Sequence, residues 1–230
     1  MNKKHLFFDL DRTLWDFEAN SLETLQDIFK QRELQAKRVD SFESFLSFYK
    51  DYNHQLWELY KLGEISKAHL SVERFRGTLK HFSIIDEDLS QQIAKDYVEI
   101  SPTKTKLFPD AIEVLQILFE KYELHIITNG FNEVQFVKLD NSGLRPFFKE
   151  IITSEMVSVQ KPNPEVFQFS LEKANALLPE SVMIGDDQAV DIIGASNFGM
   201  DQVFVNFHHD KLGCNPTWHV HSLKELLDIF

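Results

Sequence analysis

The sequence has little cysteine, little positive charge and no long apolar run. Its single cysteine, Cys214, excludes an internal disulfide, and no cysteine or histidine pattern of zinc spacing surrounds it. Acidic residues outnumber basic ones by 36 to 24, so a nucleic-acid polymer is not an expected partner. Without a signal-peptide pattern or an apolar stretch of bilayer-spanning length, the sequence predicts a cytoplasmic protein that has no membrane partner.

Short apolar runs alternate with segments of helical periodicity over much of the chain. This alternation is typical of repeated βα units, and it predicts an α/β fold with a doubly wound, Rossmann-like parallel sheet. The helical periodicity is clearest in segments such as Ala111 to Leu118 and Val166 to Ala174. The runs that we interpret as strands are His5 to Phe8, Leu124 to Thr128, Ile151 to Thr153, Val182 to Ile184 and Val203 to Val205.

Residues 15–105 interrupt this alternation, because they show only helical periodicity. We therefore predict two domains: a discontinuous α/β core formed by residues 1–14 and 106–230, and a helical domain formed by residues 15–105. Pro102 and Pro109 would mark the return of the chain to the core. The phenylalanine-rich faces of the helical segment are interpreted as the interior of a helix bundle.

Asp9 and Asp11 directly follow the first predicted strand. The carboxyl ends of parallel strands open onto the binding crevice, so both carboxylates are expected there. Two such charges close together repel each other unless a cation lies between them, which favours a hard divalent metal such as Mg²⁺. The same Asp-x-Asp pattern also occurs in ordinary turns and helix caps.

Two further motifs follow later strands. Thr128, Asn129 and Gly130 offer a hydroxyl, an amide and a close backbone approach, which could hold phosphate oxygens, although such a triplet is also a common turn. Lys161 stands before a proline on a rigid turn, where its charge could offset that of a phosphate and a nucleophile. Most lysines are solvated surface groups, so Lys161 carries weight only together with the other motifs.

The fourth motif follows the strand Val182 to Ile184 and contains Asp186, Asp187 and Asp191. Gly185 permits the sharp exit from the strand, and the three carboxylates could complete an oxygen-ligand shell for Mg²⁺. Capping of a helix explains one of these acids well, Asp187 being the best placed, but it explains three poorly.

The four motifs together, in this order and each after a predicted strand, resemble the haloacid-dehalogenase superfamily. The resemblance covers the whole chain, and the helical segment resembles the C1 cap of that superfamily. The segments Leu14 to Asn20 and Leu56 to Lys67, with Arg74 and Phe75, are similar to its pyrimidine 5'-nucleotidase group. Arg12 departs from the pattern, because many members have glycine or a small polar or acidic residue there, and this puts the local backbone or the surface charge in doubt, not the chemistry.

The resemblance implies a chemical role for each carboxylate. Asp9 would be the nucleophile that forms an aspartyl-phosphate, and Asp11 would act as general acid and then as general base. Asp9, the backbone carbonyl of Asp11 and Asp186 would bind Mg²⁺. Asp191 would act indirectly, on metal-bound water or on Lys161. Asp187 remains an alternative metal ligand.

The remaining implied roles concern the substrate. Thr128, with the amides around Asn129 and Gly130, would bind the phosphoryl oxygens, and Lys161 would neutralise their charge. Three residues are candidates for reading the leaving group: Trp15, Phe17 and Asn20. An aromatic ring could stack on a base, but each aromatic could equally belong to the interior of the protein.

These expectations favour an Mg²⁺-dependent phosphomonoesterase, a phosphoric monoester hydrolase that acts on a nucleoside 5'-monophosphate with a pyrimidine preference. A broad-specificity phosphatase of sugar phosphates or other metabolites is the first alternative, and a phosphosugar mutase is a weaker one. A dehalogenase has no alkoxide leaving group that needs a proton, so Asp11 argues against it. A non-catalytic binding module would be expected to lack one of the motif residues, and none is lacking. The expected state is a monomer or a small homo-oligomer.

Overall fold

The computed structural model describes residues 3–230, which fall into two compact units. The first, here called the sheet unit, comprises Met1–Phe17 and Thr105–Phe230, and the second, here called the helical unit, comprises Glu18–Lys104. The helical unit is thus inserted in the sequence between the first and second strands of the sheet unit. It begins three residues later and ends one residue earlier than the predicted segment 15–105.

The sheet unit is built on six parallel strands in the order β3-β2-β1-β4-β5-β6. The five predicted strands are confirmed, and a sixth was missed because it has only three residues and half-buried polar character. The strands are β1 His5–Phe8, β2 Glu123–Thr128, β3 Phe148–Thr153, β4 Ser181–Gly185, β5 Asp201–Val205 and β6 Trp218–Val220.

The helical unit holds most of the chain between β1 and β2, with helices α1 Phe17–Gln31, α2 Phe42–Lys61, α3 Lys67–His81 and α4 Glu87–Ile100. Ser41, Ser66 and Asp86 begin α2, α3 and α4 by accepting a backbone N–H bond. Five aromatic residues are buried inside the bundle, with Phe45 and Phe75 in its centre, as the phenylalanine-rich faces predict; the five are Phe29, Phe45, Tyr49, Phe75 and Tyr97. Among residues 3–230, no helix combines the length and apolar character needed to cross a membrane.

Helices cover both faces of the sheet, because successive side chains of each buried strand point to opposite faces. Leu6 and Phe8 pack with α5 Ala111–Phe119, whereas Phe7, between them, packs with α8 Pro164–Ala174. This is the doubly wound arrangement that the sequence predicts. The other helices of the sheet unit are α6 Asn132–Asn141, α7 Ser154–Val157, α9 Gly194–Phe198 and α10 Leu226–Ile229, with a π-helical segment at Gln188–Ile193.

Candidate active site

The four sequence motifs meet at the carboxyl end of the sheet. Asp9 follows β1, Thr128 ends β2 and Asp186 follows β4, and these three strands are neighbours in the order β2-β1-β4. Lys161 reaches the same place from the loop between α7 and α8. Strands of four to six residues therefore gather side chains that are more than 150 positions apart in the sequence.

Lys161 is the centre of the site. Its side chain is 1% exposed, and its ammonium group donates to Asp9 Oδ1 at 2.7 Å, Asp191 Oδ1 at 2.7 Å and the carbonyl oxygen of Ile127 at 2.8 Å. Three acceptors match the three N–H donors of a lysine. Although burial lowers it, the charges of Asp191 and Asp9 raise the pKa of Lys161 above its usual value, so the ammonium stays charged.

The loop that carries Lys161 is fixed by Asn129. The side-chain amide of Asn129 donates to the carbonyl oxygen of Lys161 at 2.9 Å, and its Oδ1 accepts the Lys161 backbone N–H at 2.9 Å. These two bonds give the amide a structural role in holding the loop, and its role on phosphate oxygens stays a prediction. Thr128 Oγ1 accepts the backbone N–H of Gly130 at 3.1 Å, so these two residues form a tight turn at the end of β2.

Asp9, Asp186 and Asp191 form an acidic cluster in which one carboxylate oxygen from each lies within 4.8 Å of the others. Burial raises the pKa of Asp9 to about 7, although Lys161 opposes this shift. The pKa values of Asp186 and Asp191 are also raised, first by desolvation. One ammonium does not offset three partly desolvated carboxylates, and an all-oxygen donor set of this kind fits a hard divalent cation such as Mg²⁺.

Asp187 and Asp191 lie in different surroundings. The sequence left open whether Asp187 is a metal ligand, and these surroundings bear on that choice. Asp187 Oδ1 caps the π-helical segment by accepting the backbone N–H groups of Ala189 and Val190 at 2.9 and 3.0 Å. Asp191 lies in the acidic cluster, and its Oδ2 accepts the Asp187 backbone N–H at 3.2 Å. Asp187 therefore has the capping role that was its alternative interpretation.

Gly185 leaves the space in which the Asp191 carboxylate lies. A Cβ atom at position 185 would come within 2.3 Å of Asp191 Oδ2, a distance that requires the carboxylate to move. Gly185 is thus needed for a close approach and not only for the exit from β4 that the sequence suggested.

Thr13 is a site residue that the sequence reasoning missed. It is completely buried, and its hydroxyl donates to Asp186 Oδ1 at 3.0 Å. This bond ties the first motif to the fourth and orients a candidate metal ligand. The signal was available, because Thr13 lies four residues after Asp9 in the same segment.

Asp11 points to a different group of residues, which the sequence reasoning also missed. Gln135 Nε2 donates to Asp11 Oδ2 at 2.8 Å and to Thr128 Oγ1 at 2.6 Å, and Lys138 Nζ contacts Asp11 Oδ1 at 2.5 Å. Gln135 and Lys138 are one turn apart on α6, and both are almost fully buried. Polar residues with this spacing on a helix that follows a motif strand were the available signal.

The three candidate leaving-group readers have different surroundings. Trp15 is 0% exposed and packs in the core, with Lys138 Nζ 4.1 Å above its ring. This is the interior packing that was its alternative interpretation, and its stacking role stays a prediction. Phe17 is partly buried, and the guanidinium of Arg12 lies 4.4 Å from its ring centre. Asn20 is fully buried in α1.

Arg12 has a φ of 69°, in the left-handed region that favours glycine.

Comparison with known proteins identifies the family of this chain. The model of the haloacid dehalogenase-like hydrolase family matches residues 6–205. The chain is 31% identical to pyrimidine 5'-nucleotidase PynA of Streptococcus pneumoniae over 98% of this chain and 94% of that protein. It is 34% identical to pyrimidine 5'-nucleotidase YjjG of Escherichia coli over 96% of this chain and 95% of that protein.

A solved structure agrees with the sequence relatives. The putative hydrolase YfnB of Bacillus subtilis, solved with bound magnesium, superposes with a TM-score of 0.89 and 27% identity over 99% of this chain and 98% of that one. The predicted resemblance and fold class are thus confirmed. A family match over most of the chain, relatives of nearly equal length and the same fold lead to one conclusion: the chain belongs to the haloacid dehalogenase-like hydrolases.

Proposed function

We propose that this hydrolase is an Mg²⁺-dependent phosphomonoesterase that uses Asp9 as its nucleophile and prefers pyrimidine nucleoside 5'-monophosphates. The observation that carries the proposal is the buried Lys161 ammonium, which bonds Asp9 and Asp191 beside Asp186. A nucleophilic carboxylate, a fixed cation and a cluster of oxygen ligands are the parts that phosphoryl transfer to an aspartate requires.

The first half of the reaction forms a bond between Asp9 and phosphorus and breaks the bond to the leaving oxygen. Lys161 orients Asp9 by binding Oδ1, which leaves Oδ2 free of that contact for the attack. Its positive charge also stabilises the negative charge that develops on the transferring phosphoryl group. The Thr128 to Gly130 turn, with its backbone N–H groups, lines the position proposed for the phosphoryl oxygens.

Magnesium, when bound by Asp9, Asp186 and the backbone carbonyl of Asp11, would supply positive charge to the substrate phosphate and to the nucleophile. Thr13 would orient Asp186 through its hydroxyl, and Asp191 would support the cluster through Lys161. The magnesium in the YfnB structure supports the same choice of metal for this chain.

Asp11 would donate a proton to the leaving alkoxide and then take a proton from the water that hydrolyses the aspartyl-phosphate. In the structure, Gln135 and Lys138 hold both of its carboxylate oxygens. These contacts keep Asp11 close to the end of β1, and release of one of them would let the carboxyl group act on the leaving oxygen.

The preference for pyrimidine nucleotides rests on the two nucleotidase relatives, which match almost the whole chain and therefore also the helical unit. In this proposal the helical unit is the cap that reads the leaving group. Phe17, at the start of α1, remains the candidate aromatic contact, because its ring is not fully buried.

The substrate class is tested by phosphate release from nucleoside monophosphates, sugar phosphates and an aryl phosphate, each with Mg²⁺ and with a chelator. We expect dUMP, dTMP or UMP to give the highest kcat/KM, and we expect the activity to vanish in chelator. Equal activity on all substrates would reject the nucleotide preference while keeping the chemistry, and activity that persists in chelator would reject the metal.

The chemistry is tested by one single variant, Asp9→Asn, and by a second test that pairs Asp186→Asn with Asp187→Asn. Asp9→Asn should lower kcat by at least about 10³-fold. It should also abolish the acid-stable phosphoenzyme that forms from labelled substrate. Asp186→Asn should lose Mg²⁺-dependent activity, whereas Asp187→Asn should keep it, because asparagine caps a helix nearly as well as aspartate. The reverse result for this pair would make Asp187 the metal ligand.

The role of Asp11 is tested by the leaving group. An aryl phosphate expels a phenolate that needs no proton, so Asp11→Asn should release one rapid equivalent of it and then turn over slowly, because the base for the second step is missing. The same variant should be slow from the first turnover with a nucleotide. Equal loss on both substrates in the first turnover would argue against Asp11 as the general acid.

A further inference from the structure

A second cluster of ligand side chains lies at the opposite, amino end of the same strands. His5 begins β1 and pairs with Glu123, which begins β2, and His125 follows two residues later. Residues in register and residues two apart point to the same face of a sheet, so all three side chains share one face. One donor atom from each lies within 4.8 Å of the others.

The distances within this cluster are those of a metal site. His5 Nδ1 is 3.3 Å from His125 Nε2 and 3.5 Å from Glu123 Oε2. In a tetrahedral zinc site with bonds of about 2.0 to 2.1 Å, neighbouring ligand atoms are separated by about 3.3 Å. Two of the three edges of such a tetrahedral face are thus present, and the third pair of donors, from His125 and Glu123, lies within 4.8 Å.

The histidine rings are held in place by packing. His125 is fully buried and stacks on Phe7 at 4.6 Å between ring centres, and the ring of His5 stacks on it at 5.5 Å. Among the residues that the structure describes, His125 Nδ1 has no hydrogen-bond partner, so Nε2 is the point at which this ring makes polar contact.

We propose that His5, Glu123 and His125 bind a borderline transition-metal ion of the Zn²⁺ class. Two imidazoles and one carboxylate suit zinc, nickel or cobalt, whereas magnesium prefers oxygen ligands throughout. Glu123 is exposed, so water has access to the remaining coordination position. This site is separate from the acidic cluster, and it does not depend on the proposed phosphatase activity.

Lys149 competes with the metal ion for the carboxylate of Glu123. Its ammonium bonds Glu123 Oε2 at 2.8 Å, the same oxygen that faces His5. The lysine side chain is about half exposed and can move into solvent when a dication takes its place. Removal of this lysine should therefore strengthen metal binding, which gives a prediction of opposite sign from removal of a ligand.

The test is calorimetric titration of the whole chain with Zn²⁺ in excess Mg²⁺, which competes with Zn²⁺ for the oxygen ligands of the acidic cluster. We expect one strong site, at least about tenfold weaker in His5→Gln and in His125→Gln, because loss of a ligand costs at least as much as loss of its orienting partner. Lys149→Met should bind Zn²⁺ more tightly than the unaltered chain. His221→Gln is the matched control, because His221 packs against His209 near the carboxyl terminus, where zinc could also bind.

Cobalt gives an independent readout, since tetrahedral Co²⁺ has intense visible absorption that depends on its ligands. We expect this absorption in the unaltered chain and its loss in His5→Gln, with folding checked by circular dichroism. Unchanged affinity in His5→Gln and His125→Gln, or loss of binding only in His221→Gln, would overturn the proposal. So would the absence of a strong site in the unaltered chain.

Discussion

The two ends of strand β1 show how one sheet holds two different polar clusters. The strand has four residues, with His5 at its amino end and Asp9 directly after its carboxyl end. At the carboxyl end, carboxylates surround a buried ammonium, and at the amino end, two imidazoles meet one exposed carboxylate. Oxygen donors favour a hard cation and nitrogen donors a softer one, so donor chemistry alone distinguishes the two ends.

Burial acts on both ends in the same way but with opposite consequences for pH dependence. Desolvation disfavours the charged form, so it raises the pKa of Asp9 to about 7 and lowers that of His125 to about 4. The folded state therefore binds the Asp9 proton more tightly than the unfolded state, and stability falls as pH rises towards 7. For His125 the unfolded state binds the proton more tightly, and stability falls as pH drops below about 6.5.

The largest expected effect is at the carboxyl end. Lys161→Met leaves Asp9 and Asp191 buried without their cation, and loss of one partner from a buried ion pair costs about 3–5 kcal/mol. We expect a decrease of this size in the free energy of unfolding at pH 8, measured by urea denaturation in chelator. Addition of Mg²⁺ should restore part of it, because a dication replaces the lost charge.

The matched control for this prediction is Lys95→Met. Lys95 lies on the surface of α4 and pairs with Glu99 at 3.7 Å, an exposed contact that should contribute little. A similar loss of stability in both variants would mean that the carboxyl end is not held together by the buried ammonium.

The next effect is at the amino end and has the opposite pH dependence. The pKa of His125 is about 4 in the folded state and about 6.5 in the unfolded state. Protonation of His125 in the unfolded state should therefore lower the free energy of unfolding by about 2 kcal/mol when the pH falls from 8 to 5. His125→Phe should therefore lose less stability over this range than the unaltered chain, as measured by urea denaturation at both pH values.

The control here is His54→Phe, in which an exposed histidine of α2 is replaced by the same residue. It should follow the unaltered chain at both pH values. An equal response of His125→Phe and His54→Phe would show that burial of His125 does not set the acid sensitivity, and the contrast between the two ends would then fail.

The comparison also explains which features could be predicted from the sequence. β1, β2 and β4 have short, continuous apolar runs bounded by polar motifs, so strand identity and the carboxyl-end cluster follow from local patterns. Asp9 and Asp186 could be assigned to one site because parallel strands share an edge. Lys161 lies in the loop between α7 and α8, and only the order of the four motifs linked it to that site. The sixth strand was too short for the same argument.

Other features depend on contacts that no local pattern contains. The amino-end cluster requires the register of His5 against Glu123, and this register is fixed only when β1 and β2 pair. Similarly, the sequence predicts a phosphate-binding role for Asn129 but does not show the two bonds by which its amide holds the backbone of the Lys161 loop. Residue type indicates which polar groups matter, whereas partners across the sheet determine what each group does.

A third prediction tests whether close packing sets the carboxyl-end geometry. Gly185→Ala should push the Asp191 carboxylate away from Lys161, because the new Cβ would lie 2.3 Å from Asp191 Oδ2. A displacement of about 1 Å at such a site can cost about 10²-fold in kcat. Gly213→Ala is the control, since its Cβ would come no nearer than 3.5 Å to Gln188 Oε1. Steady-state kinetics with Mg²⁺ on the preferred substrate compare them, and equal rates would exclude Gly185 as a spatial requirement.

The smallest expected effect concerns Lys138, which contacts Asp11 while lying over the Trp15 ring. If Lys138 is a positioning residue for Asp11, Lys138→Met should lower kcat for nucleotides about tenfold with little change in KM, and Lys138→Arg should restore part of the rate. The loss should be smaller for an aryl phosphate in the first turnover, because its leaving group needs no proton from Asp11. Lys173→Met, an exposed lysine of α8, is the control. An equal loss on both substrates would instead indicate general damage to the carboxyl end, and the Asp11 cluster would then have no separate part in the reaction.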